Sequence, residues 1–408
     1  MTDQENSLIV DRNTLVYVEN QFAESYLNSN KEFQYVKNNF CGKICSRVED
    51  FSGIPNDVII YLCGDIKVNA SKLSAHRGTI YVIAQLSYNY DDADDQYGVI
   101  SMGQVPINMH GVGVYVRDFF DPSKDYFNLI TKEHQFQVLT ESNKASNSYR
   151  KGIYLTPIEQ GNDEIKFRLL RCSSNLRGPT DNFRTTDKEI VGQVNNMCKC
   201  YFSQPTELNH VLAQVYENKL VNDKQRKAKI KEHSDKTKDM PRNGLIAFCT
   251  FYNGITTVSK SNDDPYDYCY NGKTSVLTRM RFRLKKMVSN SSLVKEFYIK
   301  LYPNSMFVMS LEMNRLYTHE IVPSQLPVDK IPTRLGYVIR CSNTEAVFKN
   351  GKTYIDEHGD YKELVVATES DVIKLKETYL KENMTAELIE YDKIYFSLNQ
   401  GDYEKPYL

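Results

Sequence analysis

IKEHSDKTKDMPRNGLIAFCTFYNG, residues 230–254, sets a His-x-Asp triplet ahead of an unbroken apolar run. On an extended chain alternate residues share a face, so His233 and Asp235 point one way and Ser234 the other. Imidazole and carboxylate a few ångströms apart form a hard, mixed N/O pair. Such a pair suits a ferrous ion once one more His completes it. The same triplet also fits the polar part of a charged loop. GLIAFCTFYNG (244–254) reads as a central strand, since a strand buried on both faces shows a continuous apolar run rather than alternation.

The chain has 408 residues, of which 41% are hydrophobic and 12% aromatic, enough for two domains or one large domain with additions. That composition excludes global disorder. A net charge of −1 excludes a strongly basic, histone-like binder, although a local basic surface remains compatible. Nine scattered cysteines, with only Cys198 and Cys200 close together, read as free thiols in a reducing compartment, cytoplasmic or nuclear. No basic leader and no apolar stretch of spanning length is visible, so neither a secretory signal nor a membrane span is expected.

Runs rich in β-branched and aromatic residues predict strands at 55–68, 78–90, 112–120, 153–157, 166–172, 276–284, 296–302, 334–341 and 346–355. DDADD (91–95) reads as a solvated acidic turn. SNKASNSYRKG (142–152) is polar and full of turn formers, and marks a boundary. LNHVLAQVYENKL (208–220) reads as a short amphipathic helix. SDVIKLKETYLKENM (370–384) predicts a C-terminal helix capped by Ser370. The chain thus divides into residues 1–145, α/β or β-rich and of unknown role; a strand-dominated region 146–355; and an extension 356–408.

A further ligand position lies in NRLYTHEIVP (314–323), where His319 follows an apolar strand. The other five histidines lack a carboxylate at ligand spacing combined with paired arginines downstream. RLGYVIR (334–340) then places Arg334 and Arg340 on one face of a strand, with the small residues Gly336 and Val338 between them. Two inward guanidiniums need anionic partners, and a dicarboxylate would supply them in two-pronged fashion. Two surface arginines on an edge strand would show the same spacing.

Taken in order, IKEHSD, LIAFCTF, FYIKLYPNSMFVM, NRLYTHEI and RLGYVIR resemble the core of the iron(II)/2-oxoglutarate-dependent dioxygenases, the AlkB-like branch above all. The resemblance covers roughly residues 150–355. It implies an α+β, mainly β fold: a distorted double-stranded β-helix, or jelly roll, with flanking helices. It implies Fe(2+) on His233, Asp235 and His319, with 2-oxoglutarate and dioxygen as cosubstrates. Arg334 would grip the far carboxylate of 2-oxoglutarate, Arg340 would assist at the cosubstrate end or order a substrate, and Tyr216 would contact the cosubstrate.

Family members act mainly on alkylated bases in DNA or RNA, which implies hydroxylation or oxidative demethylation of a nucleobase. The stretch 219–238 holds eight Lys or Arg against three acids and runs into His233. Lys229 and Lys231 there, and Arg279 and Arg281 in RMRFRLKK (279–286), would suit a phosphate backbone. Asn175, Arg177, Thr180 and Phe183 in a polar loop would cover the pocket mouth and stack on a flipped base. A protein or peptide hydroxylase or demethylase would use the same five metal and cosubstrate residues. A non-catalytic binding protein on this scaffold would lack a physical reason to keep them.

Overall fold

A computed structural model describes residues 12–17, 21–46, 57–67, 73, 76–89, 97–141, 144–171 and 176–408. The chain forms two compact units, one of residues 1–119 with 196–204, the other of 120–195 with 205–408.

In the first unit β1 (Asn13–Tyr17) leads into α1 (Gln21–Ser29) and α2 (Lys31–Asn39), then β2 (Lys43–Cys45), β3 (Ile59–Asp65), β4 (Ile80–Tyr88) and β5 (Tyr97–Ile100). These strands form one sheet in the order β2-β1-β3-β4-β5, with every neighbour parallel. Its buried face gathers Val16, Ile60, Leu62, Ile80 and Val82. The strands expected at 55–68 and 78–90 are β3 and β4. A short antiparallel pair follows, β6 (Ile107–Met109) and β7 (Gly113–Val116). DDADD lies outside the described residues.

The second unit begins with α3 (Tyr126–Glu133), β8 (Gln137–Glu141), β9 (Lys144–Thr156), β10 (Glu159–Gln160), β11 (Ile165–Leu169) and β12 (Asp181–Asn182). Helix α4 (Thr185–Tyr201) comes next, its residues from 196 on counting with the first unit, then β13 (His210–Tyr216), β14 (Lys219–Val221), β15 (Lys224–Arg226), β16 (Ile230–His233) and β17 (Leu245–Tyr252). After a small hairpin, β18 (Cys269–Tyr270) and β19 (Thr274–Ser275), come β20 (Arg279–Leu284), β21 (Glu296–Lys300), β22 (Ser305–Ser310), α5 (Leu311–Leu316), β23 (Tyr317–Val322) and β24 (Arg334–Arg340). The chain closes with β25 (Thr344–Lys349), β26 (Lys352–Glu357), β27 (Asp360–Glu363) and α6 (Glu369–Met384).

This unit is mainly β, and nearly all its pairing is antiparallel. One large sheet runs β12-β9-β13-β24-β17-β22, and a four-stranded sheet runs β16-β23-β20-β21. Phe282 of β20 meets Phe307 of β22 at 5.3 Å between ring centroids, and Phe248 of β17 meets His319 of β23 at 5.2 Å, so the two sheets face each other over an aromatic core. A third sheet, β10-β11-β25-β26-β27, packs its own apolar cluster around Phe167, Leu169 and Ala346.

Three local readings change. Residues 210–216 are strand β13, not a helix: β13 is paired on both edges, with β9 and β24, and every residue in it is buried. Burial on both faces erases the period-two signal, and a short apolar run then passes for a helix. The polar stretch 144–152 is strand, most of β9. Helix α6 is capped by Thr368 rather than Ser370. Thr368 Oγ1 accepts from the Asp371 N–H at 3.2 Å, and the Asp371 carboxylate accepts in return from the Thr368 N–H, a reciprocal box. Among the described residues no helix is long and apolar enough to cross a membrane.

Candidate metal centre

His233 ends β16 and lies directly across from His319 on β23. Directly opposed residues of an antiparallel pair project from the same face, and the two rings sit 4.5 Å apart between centroids. A register shift between Ile230 and His233 re-aims the strand end just before the turn that carries Asp235. Asp235 follows two residues later, its Oδ1 at 3.6 Å from His233 Nε2. One ligand atom from each of His233, Asp235 and His319 falls within a 4.8 Å cluster.

The donor set is preorganised. The Lys231 carbonyl accepts from His233 Nδ1 at 2.8 Å, which leaves Nε2 facing Asp235. Arg340 donates through Nε to Asp235 Oδ2 at 2.9 Å, so Oδ1 stays on the histidine side. Asn314 of α5 grips the Asp235 main chain from both sides: its Oδ1 accepts from the Asp235 N–H and its Nδ2 donates to the Asp235 carbonyl, each at 2.9 Å. Burial by itself would raise the Asp235 carboxyl. The Arg340 guanidinium and the two imidazoles outweigh it and hold the group well below the usual carboxylate range. Burial pushes His319 down to about 3, with His233 adding to it. Ionised carboxylate and neutral imidazole are the forms that ligate a metal. His319 Nδ1 is buried and has no hydrogen-bond partner among the described residues.

Arg334 and Arg340 both lie on the face of β24 that Gly336 shares, as the even spacing requires. A Cβ on Gly336 would come within 2.9 Å of Arg334 Nη1 and 3.2 Å of the Tyr216 ring. Glycine therefore leaves the guanidinium its place. Tyr216 pairs in register with Arg334, and its ring lies 4.0 Å from the guanidinium carbon. The misread helix thus still delivers Tyr216 to the side of Arg334, as a strand neighbour. Arg334 is 4% exposed, and its Nε and Nη2 have no acceptor among the described residues. A buried guanidinium in that state calls for an anion. Arg340, by contrast, is committed to Asp235.

The remaining candidates are spread out. Lys229 and Lys231 are exposed on the approach to His233. The β14–β15 hairpin, turning through left-handed Asn222 and Asp223, adds exposed Lys224 and Arg226. Arg281 is paired with Glu320, and Arg279 lies over the Tyr298 ring at 5.3 Å. Arg177 is exposed, with its N–H on Gln137. Thr180 and Phe183 are buried, so neither offers a face for stacking; Phe183 sits between β12 and α4, its N–H on the Thr156 carbonyl. Asn175 lies outside the described residues. Asn314 went unforeseen, because an amide that holds a main chain 79 residues away in sequence leaves no local pattern.

No protein family and no curated protein matches the chain. Among solved structures it is similar to that of OsALKBH1, with 10% identity over 56% of this chain and 97% of the other, at a TM-score of 0.34. It is also similar to the non-heme alpha-ketoglutarate-dependent epimerase SnoN from nogalamycin biosynthesis, with 9% identity over 58% of this chain and 80% of the other, at a TM-score of 0.34. Likeness at that level assigns neither fold nor activity.

Proposed function

We propose that this chain is an Fe(II)- and 2-oxoglutarate-dependent dioxygenase on a distorted double-stranded β-helix. One observation supports the reading: the strand face that brings Arg340 to the Asp235 of a His-Asp-His donor cluster also carries Arg334, a buried guanidinium with unmet donors. His233, Asp235 and His319 would hold ferrous iron through two imidazoles and one carboxylate, an arrangement that leaves open positions on the metal. Iron there would supply oxidation of a substrate C–H bond by dioxygen, coupled to conversion of 2-oxoglutarate to succinate and carbon dioxide. Arg334 would pair with the distal carboxylate of 2-oxoglutarate, flanked by the Tyr216 ring. Arg340 would keep Asp235 ionised and hold one of its oxygens away from the metal.

For the substrate, the exposed lysines and arginines of β14, β15 and β16 favour a polyanion, and we read it as a nucleobase in DNA or RNA. Arg281 and Arg283 offer less than their number suggests, because Glu320, Glu232 and Glu296 pair with them. A peptide substrate is the second reading; it would leave the basic hairpin without a part to play.

The test is anaerobic titration of the full chain with ferrous ion and 2-oxoglutarate. A visible charge-transfer band that needs both additions and disappears in His233→Ala is the expected result. A folded chain that takes up no iron by elemental analysis and shows no band would overturn the proposal.

A further inference from the structure

The C-terminal helix α6 carries few of the features of a helix held by its core. Of its side chains only Leu375 and Glu382 are buried. Ile373, Leu380 and Met384 stand 59%, 60% and 59% exposed. The polar contacts of its last turn converge on the turn that contains Asp235, while Tyr379 Oη donates to the Arg171 carbonyl and Lys374 pairs with Asp392.

Asn383 Oδ1 accepts from both the Ser234 N–H at 2.8 Å and the Ser234 hydroxyl at 3.1 Å. Glu382 Oε1 accepts from the Thr237 N–H at 3.0 Å and from its hydroxyl at 2.5 Å. The Tyr379 carbonyl accepts from Lys236 Nζ at 3.2 Å. The residues on either side of Asp235 are therefore fastened to one helix end. That end is itself fixed. Lys285, just after β20, donates to the Glu382 and Thr385 carbonyls at 2.7 and 3.0 Å, and Tyr391 donates to Glu382 Oε2 at 2.6 Å. Helix C-terminal carbonyls usually turn to water, and a lysine there also complements the helix dipole.

Ser234 is fully buried, and a buried N–H in an irregular turn needs a partner. Removing Asn383 would leave that N–H unsatisfied and loosen the turn on the His233 side of Asp235, where Asn314 and Arg340 do not reach. We propose that α6 is a clamp for the metal-ligand turn, and that Asn383, with Glu382 behind it, is a positioning residue for Asp235. This rests on reading His233, Asp235 and His319 as the metal ligands. The expected magnitude is that of other groups that orient ligands from behind, about 10- to 100-fold in metal affinity.

Cobalt(II) titration of the full-length protein tests it, with the visible ligand-field bands giving both affinity and geometry, alongside the thermal midpoint of the metal-free protein. Asn383→Leu, of similar size but without an acceptor, is expected to weaken cobalt binding about tenfold or more and to alter the bands. Asn383→Asp keeps an oxygen in place for Ser234 and is expected to recover most of the affinity. A role in stability alone would shift the midpoint and leave affinity and spectrum as in the wild type; that result overturns the clamp. Should Asn383→Leu not fold, Thr237→Val removes one hydroxyl bond to Glu382, and an unchanged cobalt affinity there overturns it equally. A wild-type protein that binds no cobalt, or whose bands survive in His233→Ala, refutes the metal site itself and the clamp with it.

Discussion

Arg334 is where a single residue shows most about what this chain binds. A guanidinium at 4% exposure with two nitrogens unmet costs stability in the free protein. A dicarboxylate would offset that cost through charge-assisted hydrogen bonds worth roughly 1.5–3 kcal/mol each. Arg334→Met should therefore separate stability from binding. It keeps the volume and drops the charge, so the free protein is expected to melt at the same temperature or higher. The 2-oxoglutarate concentration needed for half-saturation should rise about 150-fold or more, since two such bonds, together about 3 kcal/mol at the least, disappear. Arg334→Lys should fall between, because an ammonium is a point charge and cannot match a planar carboxylate. A melt paired with cosubstrate titration of the charge-transfer band checks both; unchanged half-saturation would remove Arg334 from the site.

At the scale of elements, the β14–β15 hairpin is the part whose purpose is most open to test. It is short and exposed, with Lys224 and Arg226 outward, and it leads by way of Lys229 and Lys231 into His233. If it tracks phosphates, replacing all four by glutamine should weaken binding to a single-stranded oligonucleotide. The slope of its salt dependence should flatten by about 0.7 for each phosphate that is no longer neutralised. The charge-transfer band should stay as in the wild type. Fluorescence anisotropy across a salt series measures the slope, and an identical slope would move the reading toward a peptide substrate. The elements that position the site were largely legible. LIAFCTFY announced a central strand and RLGYVIR a strand by composition, and even spacing put both arginines on one face, although it left open whether that strand was central or at an edge. What failed was periodicity where both faces are buried, as in β13. Helices α3 and α4 also went unread, α4 because its polar start, TTDKE, looks like a loop. The turn's anchors, Asn314 and Asn383, were invisible because they arrive from distant sequence.

For the molecule as a whole, His134 makes a stability claim that pH can test. It stands at the end of α3, buried, with Nδ1 at 2.7 Å from Asp181 and Nε2 at 2.8 Å from Asp187. A neutral imidazole donates only once, so facing two carboxylates favours the doubly protonated ring. Asp187 also accepts from Tyr337 Oη at 2.7 Å, on the opposite face of the strand that carries Arg334 and Arg340. The cluster thus braces the Arg334–Arg340 strand from behind. Burial would lower the His134 pKa, but the two carboxylates prevail and raise it from 6.5 to about 9. A raised pKa means that the folded state holds the proton more tightly. The stabilisation is therefore complete below pH 6.5, declines as pH rises from there, and is gone above about 9, with a span of about 3 kcal/mol. Other buried groups act in neighbouring windows. Lys238 and Lys285, lowered by burial to about 8, favour the folded state increasingly above that pH. Asp402, raised by burial to about 6, loses its contribution as pH climbs to that value, below the His134 window. The difference between wild type and His134→Gln cancels these and isolates the imidazole. Urea unfolding at pH 6 should show the variant less stable by roughly 3 kcal/mol, because Asp187 loses its cation and Asp181 keeps only Arg184. By pH 9.5 most of that gap should close. A gap that stays constant across the series would mean that His134 is held neutral and braces the strand by packing alone.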